Sequence, residues 1–260
     1  MLNKRSALLH QYSSTVFNCQ EKNTNYYDFL TLICYNPLMC GRYSLDDFDH
    51  FKERFDVANF DMFDFKPRYN IAPSQTLPVV VNEGENTVEP MRWGLIPSWA
   101  KDASIGYKMI NARAESIAEK HSFKKLLQLQ RCLVPASGFY EWKREGKEKQ
   151  PYNFHLKHER LFAFAGLYSI WHDTEGNEVK SYTIITTKPN KLLEPIHDRM
   201  PVILKTEDES MWLNPDITEP ARLLPLLAPY PDTEMEAFPV SAQVNSPKND
   251  TKEVQQRISL

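Results

Sequence analysis

The sequence predicts an α+β fold: one domain, mostly antiparallel β, with a few peripheral helices. Short apolar runs recur between residues 77 and 186, each closed by glycine or polar turn residues. Helical periodicity is confined to brief stretches near the two ends of that region and in its middle. No internal repeat and no dividing linker interrupts residues 39–246, so a single domain is expected there.

Residues 1–38 differ in character. They are rich in Asn, Ser, Thr and Gln and carry no sustained period, so they are expected to be a disordered leader absent from the mature protein. From Met39 onward, Ser44 and Asp47 read as a capping pair opening a helix with Leu45, Phe48, Phe51 and Phe55 on its apolar face. Leu77–Val81 and Val88–Trp93 flank the turn Glu83-Gly84-Glu85, which predicts a hairpin. Residues 115–129 read as helical, in one or two pieces. Strands are predicted at 132–134, 139–143, 152–156, 161–169 and 180–186, with Gly146 and Gly176 in connecting turns. Two short helices at 207–213 and 220–227 follow, and residues 247–260 read as a C-terminal tail.

Bulk properties narrow the function. No run approaches the ~18 apolar residues of a spanning helix. A net charge of −3 argues against a generic basic coat for nucleic acid. It leaves room for a local basic cleft, because Asp46, Asp47, Asp49, Glu53, Asp56, Asp61 and Asp64 crowd one region. The four cysteines, Cys19, Cys34, Cys40 and Cys132, form no Cys-x-x-Cys pair, so no metal site is expected. No export signal is evident. The expected location is the cytoplasm, with free thiols, and the nucleoid if the source is bacterial.

Chemistry-bearing residues sit where polar groups interrupt apolar runs. "SGFYEWKR" sets Glu141 between Tyr140 and Trp142, on the same strand face as Phe139 and Lys143. An exposed strand glutamate is the plainer reading; one held among rings would have a raised pKa and make a proton donor. "EPIHDRMPVIL" places His197, Asp198 and Arg199 before an apolar strand, where the histidine is either a surface residue or a proton shuttle. "MINARAES" carries Asn111, Arg113 and Glu115; it reads as a helix entry capped by Asn111, or as an amide and a guanidinium that grip a phosphate. "RWGLIPSW" and "RYNIAPS" interleave Arg92, Trp99, Arg68 and Pro73 in a manner suited to core packing or to stacking on unpaired bases. Cys40 is ordinary if internal. As an N-terminal residue it would be a 1,2-aminothiol: its amine condenses with an aldehyde and its thiol closes a thiazolidine ring, an aldehyde trap.

In this order, "MCGRYS", "YNIAPS", "RWGLIPSW", "INARAES", "GFYEWK" and "IHDRMPVIL" strongly resemble the SRAP family of abasic-site processing proteins (SOS response-associated peptidases), from Met39 to about Ser246. The resemblance implies a protein that binds single-stranded DNA containing an abasic site; no cofactor or metal is expected, and a monomer is expected because nothing in the sequence suggests a coiled coil or a dedicated interface. It would crosslink to the lesion's aldehyde through an N-terminal cysteine. By the same resemblance Cys40 is the nucleophile, Asn111 orients it, and Glu141 and His197 transfer protons. Arg42 and Arg113 match phosphate-binding arginines, while Pro73, Trp99, Trp142 and Thr186 match residues near the DNA. Ala100 departs from relatives that carry a second tryptophan. The leader departs too, since a retained peptide bond at Cys40 would leave no amine. Translation starting at Met39 is the preferred explanation, and the self-cleavage implied by the family's name is another. Two rivals stand beside this reading: a cysteine hydrolase using Cys40 and His197, and a non-covalent single-strand-binding module.

Overall fold

A computed structural model describes residues 40–146 and 148–259; the expected leader, 1–38, lies outside the described residues. The chain begins with β1 (Tyr43–Leu45), α1 (Phe51–Phe55), β2 (Arg68–Ile71), β3 (Thr76–Asn82) and β4 (Asn86–Trp93). After β5 (Asn111–Arg113) and α2 (His121–Leu129) come β6 (Arg131–Ala136), β7 (Gly138–Glu145), β8 (Glu148–Leu156), β9 (Phe162–His172) and β10 (Glu178–Thr187). Short strands β11 (Met200–Pro201) and β12 (Ile203–Leu204), helices α3 (Thr206–Leu213) and α4 (Pro220–Leu223), and strand β13 (Met235–Pro239) complete the described elements.

One sheet has five strands in the order β13-β8-β7-β1-β2. The other is built on β11-β10-β4-β3-β6-β9-β12, with β5 beside β10. Because β9 pairs with both β6 and β10, the ring β10-β4-β3-β6-β9 closes on itself as a barrel, which removes its free edges. Pairing is antiparallel apart from β10 with β4 and with β5.

The two sheets meet through aromatic rings. The Tyr43 and Tyr182 hydroxyls lie 2.7 Å apart, and Tyr43 packs edge-on against Trp93 at 5.1 Å and Phe164 at 5.9 Å. Phe139 stacks on Phe154 at 5.0 Å and meets Phe164 edge-on at 6.0 Å. Each such ring, fully buried, stabilises the fold by about 1.5–3 kcal/mol.

The predicted hairpin and the five longer strands form as expected, and helices occupy the two late segments. Differences lie in the short elements. Ser44 lies inside β1, where β7 supplies its strand partner, so it caps no helix; α1 starts only at Phe51. Phe48 instead stacks on Phe51, Phe60 and Phe65. Asn111 is likewise a strand residue, paired with Ile184, rather than a helix cap. Residues 115–129 divide into a 3₁₀ turn at Ala114–Ser116 and α2. Residues 247–259 are no loose tail. Val254 packs with Val240 and Val244 against Tyr140, and Asp250 pairs with Arg68 and accepts the Tyr69 and Asn70 amides at 2.6 and 2.8 Å.

The connection from β4 to β5 depends on two glycines. Gly94 has φ +117°, and a Cβ there would lie 2.6 Å from the Gly106 carbonyl oxygen; a Cβ on Gly106 would lie 2.7 Å from that of Gly94. Only bare backbone lets these segments cross. The crossing is sealed by Gly94 N–H to Tyr182 O (2.8 Å) and Leu95 N–H to Met109 O (3.1 Å), and it delivers Asn111 to β10. Gly94→Ala is therefore expected to lower stability by about 2–4 kcal/mol. Urea unfolding would show this as a lower midpoint at unchanged slope; an unchanged midpoint would show that the crossing is loose.

Candidate active site

Strand register brings the first two functional groups together. Tyr43 opposes Phe139 and Ser44 opposes Gly138, and the pairing continues through Tyr140 N–H to Arg42 O at 3.0 Å. Cys40 and Gly41 therefore run alongside Glu141. Strand alternation puts Glu141 on the face of Phe139, and that face is the core, so Glu141 is only 2% exposed. The exposed-strand reading fails because this face of β7 is turned inward against the barrel.

Cys40 is itself buried, at 4% exposure. Its backbone N–H donates to Glu141 Oε1 at 2.7 Å, and the same carboxyl acts electrostatically on its thiol. The other carboxyl oxygen, Oε2, lies 3.9 Å from His197 Nε2. The histidine ends a turn closed by its own N–H to Leu193 O at 3.0 Å, and its Nδ1 accepts the Arg199 backbone N–H at 3.2 Å. A backbone N–H can only donate, so the neutral ring carries its proton on Nε2, toward Glu141.

Burial sets the electrostatics. It raises the Glu141 pKa, with His197 and the Cys40 hydrogen bonds opposing that rise. It also pushes the Cys40 thiol well above its usual value, and the Glu141 charge adds to the effect, while Arg199 works against it. The pocket thus holds a carboxyl that favours its proton and a thiol that keeps its own.

A second cluster adjoins the first. Arg199 donates NH1 to Glu115 Oε1 at 2.6 Å, and NH2 to Glu115 Oε2 at 2.8 Å and to Thr186 O at 2.7 Å. Asn111 and Arg113 lie on β5 opposite Ile184 and Thr186 of β10; Asn111 is half-buried and Arg113 exposed. Sequence reading assigned no role to Arg199 or to Glu115. Their partnership spans 84 positions, which no local pattern could signal.

The other expected contacts are dispersed. Arg42 is buried and donates to Asn70 Oδ1 (2.8 Å), Val244 O (2.7 Å) and Asn245 O (3.0 Å). This geometry ties the C-terminal segment to β1 and differs from that of an arginine open to phosphate. Trp142 belongs to the same tie, with Nε1 donating to Asn245 Oδ1 at 2.7 Å. Pro73 is buried beyond the end of β2, ahead of Ser74, whose N–H meets Trp93 O at 2.8 Å. Trp99 is 54% exposed, with His121 the ring 6.2 Å from it. Among the described residues no His, Cys, Asp and Glu group is arranged to hold a metal.

Comparison with known proteins places this geometry among relatives. Residues 39–247 match the family model described as SOS response associated peptidase (SRAP). The chain is 54% identical over 220 residues to the abasic site processing protein YoqW of Bacillus subtilis, covering 83% of this chain and 98% of that protein. It is 33% identical over 228 residues to the abasic site processing protein HMCES of Xenopus tropicalis, covering 75% of this chain and 68% of that one. A crystal structure of a protein from Bacteroides thetaiotaomicron superposes with a TM-score of 0.76 at 32% identity, covering 85% of this chain and all of that one (100%).

The buried carboxyl has a measurable consequence. Its folded-state pKa lies above the ordinary value of 4.5, so its contribution to stability is complete below that value and is lost as the pH rises through the raised one. Glu141→Gln stays neutral throughout. Denaturation between about pH 5 and pH 8 should show the variant gaining on the parent protein as the pH rises. Parallel pH trends would mean that the carboxyl is well solvated.

Proposed function

This chain belongs to the SOS response associated peptidase family, and from that membership and the contacts among Cys40, Glu141 and His197 we propose that it processes abasic sites in single-stranded DNA by a covalent crosslink. The observation that carries the mechanism is the single buried carboxyl against both the nitrogen and the thiol of Cys40. A carboxyl so placed can take a proton from the amine and return it to the departing hydroxyl.

In the proposed reaction the peptide bond before Cys40 is absent, so its nitrogen is an amine. Glu141 accepts a proton from the ammonium form. The freed amine adds to the aldehyde of the ring-opened abasic sugar, giving a carbinolamine. Loss of water, with Glu141 returning the proton to the departing hydroxyl and then taking the one left on nitrogen, leaves an imine. The thiol sulfur then adds to the imine carbon while its proton passes to nitrogen, closing the thiazolidine. Overall, aldehyde and aminothiol give thiazolidine and one water. His197 relays protons to and from Glu141, and Asn111 orients the sugar. Arg113 and Trp99, both exposed, meet the phosphate and base of the flanking strand.

Backbone conformation supports a free amine at Cys40. Its φ is +43°, the left-handed region, which costs a residue with a side chain about 1–2 kcal/mol. A terminal residue has no φ torsion, so removing what precedes Cys40 relieves that strain. The family match also begins at Met39. The cysteine-hydrolase reading is less well supported, because His197 faces Glu141 and the thiol is pushed away from the thiolate that such an enzyme requires.

Protein with Cys40 as its first residue should form a heat-stable, gel-shifted adduct with abasic single-stranded DNA without added reductant. Cys40→Ala should abolish the adduct and keep most of the non-covalent binding. Protein whose intact mass still includes residues 1–39 should form none; an efficient crosslink by that species would falsify the thiazolidine mechanism. Glu141→Gln should slow crosslinking by roughly 10²–10⁴-fold, and a rate equal to the parent's would remove Glu141 from the chemistry.

A further inference from the structure

Glu115 touches none of Cys40, Glu141 and His197 in the contacts described above, yet it makes the tightest charged contact beside them. We propose that Glu115 is a positioning residue: its two-point grip on Arg199 holds the Arg199 backbone N–H on His197 Nδ1 and so keeps the proton of the neutral imidazole on Nε2, facing Glu141. The importance of that tautomer rests on the proton-transfer role proposed for Glu141 and His197.

The contacts form a continuous chain. Both Glu115 oxygens accept from Arg199, at 2.6 and 2.8 Å, and Thr186 O accepts from NH2 at 2.7 Å, so the guanidinium can neither rotate nor slide. The Arg199 side chain is only 10% exposed, while that of Glu115 is 42% exposed, so the grip rests on its two-point geometry rather than on burial. Glu115 is fixed in turn by the 3₁₀ turn that follows β5, where Arg113 pairs with Thr186. On the other side of β10, Met200 pairs with Thr187 and Pro201 with Thr186, pinning the residues that follow Arg199. The ion pair thus bridges two strands across the end of β10 and sets where the Arg199 peptide unit lies.

That placement matters because Nδ1 has a competing partner. Asp198 Oδ1 also lies 3.2 Å from His197 Nδ1. A carboxylate there favours a proton on Nδ1, whereas the Arg199 N–H, at the same 3.2 Å, favours a bare Nδ1. Asp198 is 86% exposed, so water screens its pull, and the fixed backbone donor wins while it stays in place. With the donor displaced, the proton moves to Nδ1. Nε2 then presents a lone pair to Glu141, and a proton relay between the two stops. The charged or titratable groups around this ring are Glu141 and the Cys40 thiol on the strand side and Asp198 and Arg199 on its own segment; Lys188 acts on Glu115. The Arg199 contact also holds the Glu115 carboxyl below its usual pKa, so the grip persists across the neutral range.

The test reads the tautomer directly. Long-range ¹H–¹⁵N spectra of the full chain near about pH 8, with the His197 signals assigned by their loss in His197→Gln, should show the Nε2–H form. Glu115→Gln should convert most of that signal to Nδ1–H, and Glu115→Asp, which keeps the charge, should retain more Nε2–H than Gln does. In the crosslinking assay Glu115→Gln should be slower by about tenfold, the scale on which supporting partners tune the groups they orient, with DNA binding no weaker. A folded Glu115→Gln that keeps the Nε2–H form overturns the proposal. If that variant does not fold, Arg199→Lys breaks the same grip from the other side, and an Nε2–H signal retained there overturns it equally. A purely structural role would lower the melting temperature and leave the tautomer unchanged. Should the parent protein with Cys40 as its first residue fail to crosslink, the thiazolidine reading falls, while the tautomer measurement still decides the role of Glu115.

Discussion

The contact between the buried Glu141 carboxyl and the backbone nitrogen of Cys40 is the constraint on which the rest of this structure depends. Moving a carboxyl out of water is costly unless its oxygens find partners. Here one oxygen takes the Cys40 N–H and the other faces His197. For all of these to converge, β7 must turn this face inward, β1 must lie beside it in one register, and the turn before β11 must reach the same point.

The remaining architecture holds these three pieces in place. Closing β10-β4-β3-β6-β9 into a barrel gives a rigid wall against which Phe139 and Tyr43 pack. With only three residues, β1 is too short to be stable alone. It is held between β2 and β7, and β2 is clasped by Asp250, while Asn70 reaches the carbonyls of Val244, Ser246 and Asn249. Arg42 adds a tie across 202 positions to Val244. The strand that follows Cys40 is therefore held by residues near the C-terminal end of the described chain, so the site assembles only with the whole domain.

The same burial sets an order of events in the proposed reaction. A thiol whose pKa is raised by burial and by a neighbouring carboxylate is a poor first nucleophile, so the nitrogen acts first and sulfur follows onto the imine. A carboxyl whose pKa is raised by burial suits the first step, because it holds a proton more readily than an ordinary carboxylate and can return it. Holding a charged or easily charged group in the core reduces stability, which is the usual consequence of tuning a group for chemistry.

Several features were legible from sequence alone. Alternation and glycine-marked turns located the longer strands, because a pleated strand with one buried face repeats every two residues. The spacing in "GFYEWK" placed Glu141 on the face of Phe139, and the ordered motifs named the family. The short strands β1, β2, β5, β11, β12 and β13, none longer than five residues, carry too few positions for any period to show. Whether the Phe139 face was core or solvent was also undecided, since alternation separates two faces without saying which one meets the barrel. Only tertiary structure could show that Arg42 ties down the C-terminal segment and that Glu115 grips Arg199. Hydrogen bonds between residues 84 or 202 positions apart depend on where the chain returns in space, and local spacing holds no record of that.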